Sequence, residues 1–233
     1  RYENKILDAL SSPGFPIQVS RYAGERVHNG IPEVWLVTDF IAGRRLTDEL
    51  GRSGVGTDAR NVCMKAYGRA LRTIHDCPIP TGIQIGGTPW LDGLFALAER
   101  YVDEYAIEHA LDESAAKAVR QLERLEEMKR ERPPAPSLKL IHGDYTTDHV
   151  LFEDRKVTGI VDWATATVGD PLYDMAQALY IPPMEASGDF KMEDGGSAFF
   201  DGYGIVPPAL DVSRYYQDLY DLGGRGWPIE MSV

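Results

Sequence analysis

Cysteine is nearly absent: Cys63 and Cys77 are the only two in a chain of 233 residues, and both fall in a stretch patterned as helix. That argues against a disulfide framework or a thiolate metal site and leaves structural free thiols. Long apolar runs are missing as well, none approaching the ~20 residues of a membrane span, and the first residues lack the basic start and apolar block of a signal peptide. No membrane contact is expected, and the cytoplasm is the default compartment. Positive charge is short, with 24 Lys and Arg against 36 Asp and Glu and a formal net charge of −12. This balance argues against nucleic acid held on a broad basic face and favours a cationic partner at low salt. What is present, with 43% hydrophobic content, suffices to bury a real core in one large or two small domains.

Taken in order, Ile6, Leu7 and Leu10 keep a helical spacing that breaks at Ser11-Ser12-Pro13-Gly14. Ile17 to Tyr22 and Val34 to Phe40 read as strands joined through the turn-prone His28-Asn29-Gly30, and Gly43 marks a change of direction that looks like a hinge. Helices then dominate. One starts at Thr57 or Asp58, presents Val62, Ala66, Ala70, Leu71 and Ile74 on its buried side, and stops at Cys77-Pro78-Ile79-Pro80. Others span Trp90 to His109, Asp112 or Ser114 to about Arg130, Pro171 to Tyr180, and Ser213 to Leu222. The Gly- and acid-rich Ala186 to Ser197 reads as a loop.

The stretch from Leu138 to Ala176 carries the chemistry. Apolar runs Leu138 to Ile141 and Val150 to Phe152 flank a polar loop holding His142, Asp144, Asp148 and His149, and a third run, Val157 to Val161, delivers Asp162. Strands fix the backbone while the loops expose charged groups, a pattern suited to divalent metal and proton transfer. In phosphoryl transfer the protein chiefly positions groups and neutralises charge. One aspartate accepts the acceptor hydroxyl's proton, and another, with a neighbouring ligand, holds divalent ions on the phosphates. Ordinary turn carboxylates account for Asp148 or Asp154 but not for the ordered set.

His142-Gly143-Asp144-x4-His149-Val-Leu, then Gly159-Ile-Val-Asp162-Trp163 and Gly169-Asp170-Pro171-x2-Asp174, resembles the aminoglycoside phosphotransferase and choline kinase superfamily, relatives of the protein kinases. The antibiotic kinases, macrolide phosphotransferases included, are the branch it looks most like. The resemblance implies an α+β, protein-kinase-like two-lobe fold: residues 1–42 as a remnant of the N-terminal lobe with the hinge, and 43–233 as a mainly helical C-terminal lobe bearing the catalytic and metal-binding loops. It makes Asp144 the catalytic base, Asp162 a metal ligand in the place of the kinase Asp-Phe-Gly aspartate, and His149 the second metal-ligand position, with a purely structural hydrogen bond as its alternative. Kinases usually carry Asn there, and magnesium prefers oxygen to imidazole, so His149 is also the residue that points to the antibiotic branch. His142, Asp170 and Asp174 are implied to brace the loop. Direct catalysis is the minority role for His142, and substrate contact for Asp174. His28, His75 and His109 have no partner motif and read as surface or packed side chains. The implied cofactors are Mg2+, with Mn2+ as a substitute, and ATP or GTP as phosphate donor.

The front of the chain departs from that pattern. Such a kinase needs a Gly-rich loop over the phosphates and a strand lysine paired to a helix glutamate. Glu3 matches the glutamate, and the lysine is expected upstream of Arg1, so the small lobe looks truncated. Hinge residues Asp39, Phe40 and Ile41 are implied to meet a purine through their main chain. Asp103, Glu104 and Glu185 lie where acidic side chains would meet a cationic or polyhydroxylated acceptor. The expected function is a monomeric small-molecule kinase for an aminoglycoside or macrolide hydroxyl. Its rivals are a kinase for choline or a sugar, a metal-dependent phosphohydrolase, and a nucleotide-binding pseudokinase.

Overall fold

The computed structural model describes residues 2–10, 15–52, 55–80, 83, 90–108, 114–133, 137–179, 192–208 and 210–222. Helix α1 (Tyr2–Leu10) buries Ile6, Leu7 and Leu10. Strands β1 (Ser20–His28) and β2 (Ile31–Thr38) pair antiparallel around Asn29 and Gly30, whose φ angles of 53° and 79° are those of a tight hairpin turn. Tyr22 stacks on Trp35 across this ribbon at 4.7 Å, while most other side chains on it are exposed. The hairpin starts later and runs longer than its apolar residues suggest, because the turn and cross-strand pairing, not burial, define it.

The hinge follows. Arg21 clasps the Asp39 carboxylate through two hydrogen bonds, and the Asp39 N–H donates to the Val19 carbonyl at 3.0 Å. Thr158 Oγ1 donates to the Ala42 carbonyl at 2.7 Å, and Gly43, at φ 141°, lies so close to Thr158 that a Cβ there would stand 2.6 Å from its hydroxyl. A two-residue strand β3 (Arg44–Arg45) and a short helix α2 (Leu46–Leu50) come next, both too brief to show a periodicity.

Helix α3 (Thr57–His75) is the central pillar. Its buried side is Cys63, Met64, Ala66, Tyr67, Gly68, Ala70, Leu71 and Ile74, whereas Val62, expected inside, is exposed. Helices α4 (Trp90–Glu108) and α5 (Ser114–Arg130) pack side by side. Then come β4 (Lys139–Ile141), β5 (Val150–Glu153), β6 (Lys156–Ile160), β7 (Thr167–Gly169), α6 (Pro171–Ala178), α7 (Met192–Tyr203) and α8 (Leu210–Leu222). Strands β3, β5 and β6 form one antiparallel sheet, and β4 pairs with β7 in another. The three apolar runs around the His142–Asp162 stretch therefore divide between two sheets, with the polar loop bridging them.

Residues 192–197, read from sequence as loop, belong to α7. Tertiary packing overrides their glycines: a Cβ on Gly68 of α3 would lie 2.1 Å from the Phe199 carbonyl, and one on Gly202 of α7 would lie 2.1 Å from the Lys65 carbonyl. The two helices touch backbone to backbone. One apolar cluster surrounds α1, α3, α7 and the β5–β6 hairpin, and a second joins α4, α5, α6 and α8. Among the described residues no helix is long and apolar enough to cross a membrane.

Candidate active site

The loop between β4 and β5 hangs from one face of α6. Asp174, fully buried, accepts the main-chain N–H of His142 on Oδ2 at 2.7 Å and that of Gly143 on Oδ1 at 2.8 Å. One turn on, Gln177 accepts the Tyr145 N–H at 3.0 Å and donates to the Gly143 carbonyl at 2.8 Å. His75 of α3 adds Nε2 at 3.0 Å from the same Asp174 oxygen, and its Nδ1 lies 2.8 Å from the Tyr203 hydroxyl. His75 is thus a packed side chain with a partner that no local motif announces. Gly143 sits at φ 82°, where a Cβ would stand 2.3 Å from the Thr165 carbonyl, so only glycine fits this bend.

His142 ties the loop to the segment after β6. Its Nε2 lies 3.0 Å from the Val161 carbonyl, and its Nδ1 accepts the Asp144 N–H at 3.3 Å. One ring nitrogen donates and the other accepts, which requires the neutral imidazole. Burial drives its pKa down to about 4, with Asp174 pulling the other way.

At the loop's open side three groups converge. Ligand atoms of Asp144, His149 and Asp162 all lie within 4.8 Å of one another. His149 Nδ1 stands 2.8 Å from the Asp144 main-chain carbonyl and Nε2 stands 3.6 Å from Asp162 Oδ2. The Nδ1 hydrogen is held by the carbonyl, so the Nε2 lone pair faces the aspartate. The Val161 N–H donates to the His149 carbonyl at 2.9 Å, and Asp162 then turns outward at φ 64°, a left-handed conformation rare for a non-glycine residue. Asp144 is buried, and the Tyr220 hydroxyl donates to its Oδ1 at 2.9 Å. Burial raises the Asp144 pKa, and His149 and the Tyr220 hydrogen bond oppose that shift. Two carboxylates and one imidazole, its lone pair turned toward Asp162, are a set of groups able to hold a divalent metal ion.

The other expected residues divide. Asp170 caps α6, accepting the Leu172 N–H on Oδ1 at 2.9 Å and the Tyr216 hydroxyl on Oδ2 at 2.6 Å. Glu3, half-buried, is hydrogen-bonded to the backbone of Trp163 beside Asp162, and burial raises its pKa. Asp39 has its carboxylate on Arg21 and its N–H on Val19, Phe40 projects into solvent, and Ile41 packs over Gly159. Asp103 is exposed on α4, outside the metal-competent cluster. The Glu104 side chain, Glu185 and His109 lie outside the described residues. His28 is exposed, 3.2 Å from Glu33. Tyr220, Gln177 and Thr158 were not singled out in the sequence, and His75 was read only as a surface or packed side chain, since their partners lie far away along the chain.

A mainly helical body and a loop aspartate facing a His–Asp pair at the two chain ends of the β5–β6 hairpin fit a protein-kinase-like fold. The chain belongs to the phosphotransferase enzyme family, whose profile matches residues 1–216. It is similar to the probable acyl-CoA dehydrogenase IBR3 of Arabidopsis thaliana, 24% identical over 250 residues covering 96% of this chain and 29% of that protein. It is also similar to the aminoglycoside 3'-phosphotransferase of Niallia circulans, 25% identical over 163 residues covering 67% of this chain and 57% of that one. The chain thus spans between under a third and somewhat over half of these relatives' lengths. The solved aminoglycoside phosphotransferase APH(3'')-Id from Streptomyces rimosus, in complex with ADP and streptomycin, shares the fold with a TM-score of 0.66 at 17% identity, over 94% of this chain and 81% of that one.

Proposed function

We propose that this chain is a small-molecule kinase that moves the γ-phosphate of ATP or GTP onto a hydroxyl of an aminoglycoside or macrolide antibiotic. The observation that carries the reading is the convergence of Asp144, His149 and Asp162 within 4.8 Å on a loop clamped by Asp174 and Gln177. Asp144 is the base. The acceptor oxygen attacks the γ-phosphorus, the bond to the β-phosphate oxygen breaks, and the hydroxyl proton passes to the Asp144 carboxylate. The raised pKa of Asp144 makes it a better proton acceptor than a solvated aspartate. His149 and Asp162 would hold Mg2+ or Mn2+, which when bound neutralises charge on the nucleotide phosphates. Residues 1–42 act as the part of the small lobe with the hinge, where the main chain of Asp39 to Ile41 meets the purine, and Glu3 orients the Asp162 segment. Residues 43–233 are assigned to the helical lobe, with Asp103 of α4 assigned to the acceptor's ammonium groups and, on the sequence alone, Glu104 and Glu185 with it. The reading places the protein in the cytoplasm as a monomer.

Support comes from the family, from a relative named as an aminoglycoside kinase, and from a fold neighbour solved with ADP and streptomycin. A phosphorylation screen with labelled ATP and GTP, run over aminoglycosides, macrolides, choline and sugars, tests it. Label in an aminoglycoside or macrolide supports the proposal. Label only in choline or a sugar moves the acceptor class, and nucleotide binding without transfer to any acceptor makes the chain a pseudokinase.

A further inference from the structure

Helix α8 places Tyr216 and Tyr220 four residues apart on one face, and the two hydroxyls reach two different acidic groups of the site. Tyr216 donates to Asp170 Oδ2 at 2.6 Å and Tyr220 donates to Asp144 Oδ1 at 2.9 Å. Tyr173, next to Asp174 on α6, wedges edge-on against both rings, with centroids at 6.1 and 6.4 Å. Tyr220 is buried, and a tyrosine has only two side-chain torsions, so its hydroxyl is held at one point. A carboxylate is the opposite: its terminal torsion is broad and roughly two-fold, and nothing in its own backbone decides which oxygen faces the metal-competent side. Asp144 Oδ2 faces His149, whose Nδ1 is 3.4 Å away, and Oδ1 points to α8.

We infer that Tyr220 is a positioning residue for the reaction: by donating to Oδ1 it fixes the plane of the Asp144 carboxylate so that Oδ2 alone faces the acceptor hydroxyl and the His149–Asp162 pair. The inference rests on the reading of Asp144 as the base. Helix α8, from the far end of the chain, thereby enters the catalytic apparatus without touching a substrate.

Tyr220→Phe keeps the ring and its packing and removes only the donor. Tyr215→Phe is the control, since the Tyr215 hydroxyl donates to the Met128 carbonyl of α5 at 3.1 Å and not to an acidic group of the site. Two readouts are taken on the full chain: kcat and nucleotide KM with hygromycin B, streptomycin and water as acceptors, and Mn2+ affinity by electron paramagnetic resonance with and without ADP. Because an Asp144 carboxylate oxygen belongs to the same group of ligand atoms as His149 and Asp162, Tyr220→Phe is expected to lower kcat and weaken Mn2+ binding by about tenfold each, the lower end of what outer-shell partners contribute, with nucleotide KM unchanged. Tyr215→Phe is expected to change neither. In an Asp144→Asn background the Tyr220→Phe change should have no further effect on Mn2+ affinity. Should the chain transfer phosphate to no acceptor, the proposed function falls while the Mn2+ readout still decides the positioning role. Equal behaviour of wild type and Tyr220→Phe, equal losses in Tyr220→Phe and Tyr215→Phe, or no Mn2+ binding by the unaltered chain would each overturn it.

Discussion

The Nδ1 hydrogen of His149 points back at the main-chain carbonyl of Asp144, 2.8 Å away, which leaves Nε2 turned toward Asp162. A histidine oriented this way presents a lone pair, not a proton, to the open side of the site. His149→Ala is therefore expected to weaken Mn2+ or Mg2+ binding about 10- to 100-fold and to lower turnover by a similar factor, while thermal stability changes little. Turnover of the variant matching wild type across a range of magnesium concentrations would contradict a ligand role.

His142 contributes a pH dependence to folding. Its folded-state pKa, about 4, lies below the unfolded value of roughly 6.5. The unfolded chain therefore binds a proton before the folded one does, and stability falls as pH drops between those values. The contribution is complete above about pH 6.5, and its loss by pH 4 is on the order of 3 kcal/mol. Asp144, whose pKa burial raises, contributes with the opposite sign, so urea titrations should compare wild type with His142→Asn. The two curves of stability against pH should diverge by about that amount, and parallel curves would rule the assignment out.

Asp174 gathers two main-chain N–H groups and His75 in a site without solvent. Asparagine offers one oxygen for these donors and sets its own N–H₂ against another. Asp174→Asn is expected to cost on the order of 3 kcal/mol in urea denaturation and to loosen the catalytic loop, seen as faster amide exchange at His142 and Gly143. Native-like exchange at both amides would show that the loop is held by other means.

The contact between α3 and α7 tests the packing. Gly68→Ala brings a methyl group against the Phe199 carbonyl and the Tyr203 N–H, which are backbone and cannot swing away. A loss of about 1–3 kcal/mol is expected, by the usual cost of overpacking. Gly93→Ala in α4, where a Cβ meets nothing within 4 Å, is the matched helical control, and equal stabilities in the two variants would contradict this packing.

How much of this was legible in the sequence follows from distance along the chain. Asp144, His149 and Asp162 lie within nineteen consecutive positions, so the alternation of apolar run and polar loop displayed them together. The long helices α3, α4 and α5 showed their period. The short β3 and β7 did not, because two or three residues carry no pattern. Helix α7 was hidden by Gly195 and Gly196, where burial of Phe199, Phe200 and Tyr203 outweighs weak local propensity. The distant partners of the site, unlike Asp174 and His142, were invisible for a different reason. Tyr220 reaches Asp144 across 76 positions, and His75 reaches Asp174 across 99, and no local spacing encodes such a meeting.

The central claim is that Asp144 takes the acceptor's proton, and the most direct measurement is the single-turnover rate of phosphoryl transfer by Asp144→Asn beside its affinity for ADP. Asparagine keeps the shape and the Tyr220 contact but cannot accept the proton. The account predicts a rate lowered by roughly 10²- to 10⁴-fold with ADP affinity within about threefold of wild type. A rate within threefold of wild type at unchanged affinity would contradict it.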